Sequence, residues 1–133
     1  MTPALPSPRL LAAVAIGGAA GALARWALTE AFPAEPDAFP WATFAVNVVG
    51  SFALALLPAL AAVRRSRALA AGLGPGVLCG FTTLSACSEQ ARALIGAGHS
   101  GLASTYLLGT LAACLLAVTL AVTLSGRWAE AAA

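Results

Sequence analysis

Apolar residues run along this chain in four long blocks, and charge marks the gaps between them. Leu10–Ala24, Ala38–Val63, Ala68–Ser88 and Gly101–Gly126 carry no charged side chain over 15, 26, 21 and 26 residues. The apolar character of the first block resumes past Arg25 through Trp26, Ala27 and Leu28. A helix needs about 20 mainly apolar residues to cross about 30 Å of hydrocarbon. Backbone polar groups in lipid must be satisfied within their own segment. The blocks therefore predict four transmembrane helices, near residues 10–31, 40–62, 72–97 and 101–125, in one membrane domain covering 1–133. Arg9 ahead of a run of small residues resembles a signal peptide. Three further blocks follow closely, and Arg25-Trp26 looks like an interfacial end, so the first block reads as a retained helix.

Composition narrows the class. Sixty per cent of residues are hydrophobic, 9% are charged and the mean hydropathy is +0.89. A soluble domain has about 45–50% apolar residues and about a quarter charged. Seven arginines and five carboxylates do not clothe a soluble globule of 133 residues. Disorder is excluded by the high apolar content. The net charge of +2 is too small for a nucleic-acid footprint, so the expected environment is a lipid bilayer. Cys79, Cys87 and Cys114 all lie in apolar runs and read as packing residues. No Gly-rich phosphate loop, HExxH or GxSxG pattern occurs and no extramembrane domain has room to form, so no enzyme is expected.

The connections are short and their charge is uneven. Glu30–Phe39 carries three acids and two prolines, Arg64–Arg67 is a basic turn, and Gly96–Ser100 holds the sole histidine, His99. With the N-terminus inside, Arg9, Arg64, Arg65, Arg67 and Arg127 are cytoplasmic, while Arg25 and Arg92 are outside. The positive-inside rule then predicts a multi-pass protein of the cell membrane with both termini in the cytoplasm.

Polar residues within the spans are the candidates for function. Gly17, Gly21 and Arg25 share a face of the first helix, the glycines as a close-packing motif. Arg25 either snorkels to the interface or attracts an anion. Asn47, mid-span in the second helix, either bonds a neighbouring helix or offers an N–H pair to a dehydrated anion. Pro58 is expected to bend the last turn of that helix. In the third, Gly72, Gly76 and Gly80 precede Phe81-Thr82-Thr83-Leu84-Ser85-Ala86-Cys87-Ser88-Glu89. A break near Cys79–Thr83 frees carbonyls that suit a hard cation and hydroxyls that suit an anion. A continuous helix with hydroxyls bonded back to i−4 carbonyls is the alternative. Tyr106, Thr110 and Cys114 form a polar-capable stripe on the fourth helix, either a rail of donors or hydroxyls spent on their own backbone.

Three segments resemble the fluoride channels known as Fluc or CrcB. They are Gly17-Gly18-x-x-Gly21-Ala22-x-x-Arg25-Trp26, Thr43-x-x-Val46-Asn47-x-x-Gly50-Ser51-Phe52 and Gly80-Phe81-Thr82-Thr83-x-Ser85-x-x-Ser88-Glu89. The resemblance covers essentially the whole chain in order. It implies an all-α integral membrane protein with the third helix broken at mid-membrane, assembled as an antiparallel dimer. It implies passive export of fluoride, and a structural Na⁺ on the main-chain carbonyls of Cys79 and Thr82. The pore would be lined by Asn47, Thr83, Ser85, Tyr106 and Thr110, with Arg25 and the Na⁺ offsetting the ion's charge. Two positions depart from the family. Where it carries pore phenylalanines, whose ring edges are positive, this chain has Leu84 and Cys87.

The family includes single-gene members that insert both ways and paired members of opposite fixed orientation. The five-to-two arginine bias and the two lost aromatics favour the paired kind, with a second homologous subunit as partner rather than another copy of this chain. Two alternatives remain at this point: a non-conducting partner subunit, and a proton-coupled small multidrug exporter. The exporter requires a carboxylate inside the first helix, and the only carboxylate in any charge-poor stretch is Glu89, at the end of the third.

Overall fold

The computed structural model describes residues 6–131, with side chains up to Gly126. Arg127, counted above among the cytoplasmic arginines, lies outside the described side chains. The described residues are helical or irregular, with α1 Pro8–Ala31, α2 Trp41–Leu56, α3 Ala61–Arg65, α4 Arg67–Ala71, α5 Cys79–Phe81, α6 Leu84–Gly96 and α7 Ser100–Ala131. Four stretches are long and apolar enough to cross a membrane: Pro8–Ala31, Trp41–Ala59, Arg67–Gly96 and Ser100–Gly126.

Proline and glycine set the boundaries. Pro8 occupies the first turn of α1, where a missing N–H costs no bond. Phe32 ends that helix just before Pro33, and α2 starts after Pro40. Pro58 sits in a 3₁₀ turn, Leu57–Ala59, that closes the second span. A Schellman cap ends α6: Gly98 (φ 88°) donates to Ile95 O at 3.0 Å, and His99 donates to Leu94 O at 2.8 Å.

The third span contains two irregularities of backbone. Gly72–Leu78 winds as a π-helix around Pro75, whose ring supplies no N–H to the ladder. After α5 the chain is extended at Thr82 (φ −74°, ψ 154°) and Thr83 (φ −151°, ψ 115°), and α6 begins at Leu84. Thr83 caps α6, its Oγ1 accepting from Ala86 N at 3.1 Å.

Two seams hold the spans together. In one, α1 lies directly on the π-turn and α5. Gly17 and Gly21 are buried there, and a Cβ on either would collide with the Gly72 or Val77 carbonyl oxygen. A Cβ on Gly80 would likewise overlap Gly18 O, so backbone meets backbone along this seam. In the other, α7 packs on α2 and α6, and the buried cluster Cys87, Ala91, Leu94, Ala103 and Tyr106 forms there. Phe39 closes one end of this cluster, edge-on to Tyr106 at 5.2 Å. Large apolar side chains such as Ile16, Leu108 and Leu116 point outward, as suits a surface facing lipid or a partner.

The ends of the bundle differ. Asp37 Oδ1 and His99 Nε2 are 3.1 Å apart, which ties the α1–α2 loop to the α6–α7 loop at one end. Ser7, Arg9 and the Arg65–Ala68 turn line a common groove at the other.

Candidate functional site

Where Thr82 and Thr83 leave helical geometry, α2, α6 and α7 enclose a groove of about 260 Å³. Asn47, Ser51, Thr82, Thr83 and Thr110 supply its polar lining, with Leu84, Cys87 and Cys114 beside them.

Asn47 holds the interruption in place. It is buried on α2, and its Oδ1 accepts from Thr83 N at 2.7 Å while its Nδ2 donates to Thr83 O at 3.1 Å. In an unbroken helix Thr83 N would serve the Cys79 carbonyl, so the asparagine replaces a lost rung of the ladder. One Nδ2 hydrogen remains available. Of the two roles left open for Asn47, bonding across helices is thus made, and a donor is left over.

The hydroxyls divide into spent and unspent ones. Thr110 Oγ1 donates to Tyr106 O at 2.6 Å, and Thr82 Oγ1 donates to Leu78 O at 3.0 Å. Both bond back to the i−4 carbonyl, so neither offers its proton to the groove. Thr83 Oγ1 and Ser85 Oγ lie 3.2 Å apart and share one hydrogen bond, which leaves the pair one proton to donate. Ser51, on the groove wall, makes no side-chain bond among the described residues.

Of the other expected site residues, Leu84 and Cys87 are on the groove, while Arg25, Cys79, Ser85 and Tyr106 stand apart from its lining. Arg25 is half-buried on α1, and its Nε donates to Gly80 O at 3.4 Å, one turn before the interruption. Ser85 touches the lining only through Thr83. Tyr106 is fully buried behind it, donating to Gln90 Oε1 at 2.7 Å, and Gln90 Nε2 donates to Thr43 Oγ1 at 3.0 Å. Cys79 is exposed on α5. Leu84 is 79% exposed and Cys87 is buried on α6.

The Tyr106–Gln90–Thr43 relay escaped the sequence reading. Its signal was present: Thr43 and Asn47 lie one turn apart on α2, and Gln90 lies two turns after Thr83, on the face that carries Cys87. Buried polar groups are costly unless bonded, and the partly buried Gln90 satisfies two of them, Thr43 and Tyr106. The described residues contain no cluster of three or more His, Cys, Asp or Glu able to bind a metal. Any cation here would depend on main-chain oxygens.

Four apolar spans around a neutral polar groove define a multi-pass membrane protein. Residues 12–122 match the family described as CrcB-like protein, Camphor Resistance (CrcB), and the chain belongs to that family. Among its relatives, a protein of Nocardia farcinica named Fluoride-specific ion channel FluC 2 is 41% identical over 95% of this chain and 91% of its own. Proteins named Fluoride-specific ion channel FluC 1 from Mycolicibacterium paratuberculosis and Mycobacterium tuberculosis are 42% and 43% identical, each over 90% of this chain and 92% of its own.

Proposed function

We propose that the chain is a subunit of a fluoride channel, which lets the ion leave the cytoplasm passively and so lowers its concentration there. The observation that carries this is the 41–43% identity, over nine-tenths or more of the chain, to proteins named fluoride-specific ion channels. The groove's chemistry agrees with it. A small, strongly hydrated anion needs its water replaced by several donors. The free Asn47 N–H, the Ser51 hydroxyl and the one proton of the Thr83–Ser85 pair are neutral donors beside one path. Thr110 shapes the wall and Tyr106 backs it, and neither donates to the ion, since their protons are spent. Neutral donors hold an anion without trapping it, and Arg25 adds positive potential from α1. Passage then follows the membrane potential and the trapping of HF in acid surroundings, with no nucleotide and no covalent step.

The interruption at Thr82–Thr83 is read as lying at mid-membrane, with a structural Na⁺ beside it. Main-chain carbonyls are neutral oxygen donors of the kind a hard monovalent cation takes. Those of Cys79 and Thr82 fit that demand, because among the described residues neither accepts a hydrogen bond. Asn47 takes the N–H of Thr83 and Thr83 Oγ1 takes that of Ala86, the two groups that would otherwise serve these carbonyls. A cysteine at position 79 is no obstacle to a ligand drawn from the main chain. Bound there, the cation supplies fixed positive charge at the dimer centre. Two carbonyls per chain match a site shared by two antiparallel subunits.

Leu84 and Cys87 favour a paired assembly. They stand on the groove where the family pattern has phenylalanines, so a homologous partner subunit is the source of those rings in this reading. The test is fluoride efflux from liposomes, read with a fluoride electrode, for this chain alone and for the chain co-reconstituted with a homologue from the same genome. Slow efflux alone and fast efflux together is the expected result. Fast efflux from the lone chain would overturn the paired assembly, and no efflux in either case would overturn the channel.

A further inference from the structure

At the end of the bundle opposite the Asp37–His99 contact, Ser7, Arg9, Arg65, Ser66 and Arg67 line a groove of about 360 Å³, with Leu10 and Ala68 on its rim. Three arginines thus line one groove, from the start of α1 and from the turn between α3 and α4. Among the described residues the ion pairs are Arg92–Glu89 and His99–Asp37, neither of which involves these three arginines. The fourth arginine of this end, Arg64, is occupied: its Nη1 donates to Pro58 O at 3.1 Å and Ala59 O at 2.8 Å. Ser66 Oγ accepts from Leu69 N at 3.2 Å and keeps its own proton to donate. Arg9, Arg65 and Arg67 are exposed, while Leu10 and Ala68 are partly buried where two apolar spans begin.

We propose that this groove binds the phosphodiester headgroup of an anionic phospholipid, with the acyl chains leaving past Leu10 and Ala68. Guanidinium is suited to phosphate because its planar fork donates two parallel hydrogen bonds, and three arginines with no carboxylate among the described lining residues form a concave anion site. The position selects a lipid over a soluble phosphate. The groove opens where charge-free spans meet charged turns, which is the level of headgroups in a bilayer. Basic pockets between spans bind anionic headgroups in this way. The site lies apart from the groove at Thr83 and does not depend on what passes through it.

The test uses the full chain in neutral detergent, titrated with short-chain phosphatidylglycerol, with phosphatidylcholine of equal chain length, and with inorganic phosphate. Binding is read by native mass spectrometry and by the thermal unfolding midpoint. Phosphatidylglycerol is expected to bind and raise the midpoint, with the other two at least tenfold weaker. Arg9→Gln/Arg67→Gln should weaken it by about twenty-five-fold, at about fivefold per arginine, and Arg65→Gln alone by about fivefold. Arg92→Gln, at the other end of the fold, should leave it unchanged. Because all of these side chains are exposed, the variants should keep their helical circular dichroism. Equal binding of phosphatidylcholine, or an undiminished double variant, would overturn the proposal. Inorganic phosphate binding as tightly as the lipid would overturn the lipid assignment.

Discussion

Thr83 depends on a single partner from another span. Asn47→Ala would leave both its N–H and its C=O unpaired in a buried site, at about 1–3 kcal/mol for each group. The expected result is a lower unfolding midpoint together with fluoride efflux reduced at least tenfold, measured on the same preparation. Leu84 makes the converse case. It is 79% exposed and has room for a larger side chain. Leu84→Phe would place an aromatic edge at a position where the family pattern carries one, and should raise efflux from the lone chain severalfold in the liposome assay. At this scale the sequence was informative about which residues matter and poor on what they do. Asn47 and Thr83 stood out as polar groups in apolar runs, but their pairing spans 36 residues and exists only once α2 and α6 are docked. Thr110 and Tyr106 were legible as a stripe, yet that Thr110 bonds its own backbone and Tyr106 the Gln90 side chain depends on rotamers and docking that spacing does not fix.

Among elements, the seam of α1 against the π-turn and α5 is the most sensitive to small changes. Gly21→Val should reduce the yield of folded protein sharply, because its Cβ would overlap a main-chain oxygen that cannot move aside. Gly18→Ala is the matched control, since nothing stands within 4 Å of a Cβ there, and should fold like the parent by size-exclusion chromatography. That seam was readable from Gly17 and Gly21 at a spacing of four. The four spans were readable too, because the charges fall between them. The first looked short at 15 charge-free residues, but α1 runs for 24, with the Arg25 side chain accommodated at the Gly80 carbonyl. The π-turn was hidden. Gly72, Gly74 and Gly76 around Pro75 announce irregular backbone, but they do not specify which kind of turn forms.

For the whole molecule, the charge distribution makes a prediction about insertion. The intact chain should adopt one orientation, with a C-terminal green fluorescent protein folded and bright in the cytoplasm. Replacing Arg64, Arg65 and Arg67 together by glutamine leaves two arginines on each side and should give a mixed population, seen as alkaline phosphatase activity from a matched fusion. The two seams have a mechanical consequence as well. The first welds α1 to the chain up to Phe81 through main-chain contact with no rotamers to adjust, and the second gathers α2, α6 and α7 around Tyr106. The two seams meet in the third span at a pair of threonines in extended form, with α2 also touching the π-turn and α5. Any bend between the seams would have to pass through that joint, where the Asn47 amide straps α2 to both the N–H and the C=O of Thr83.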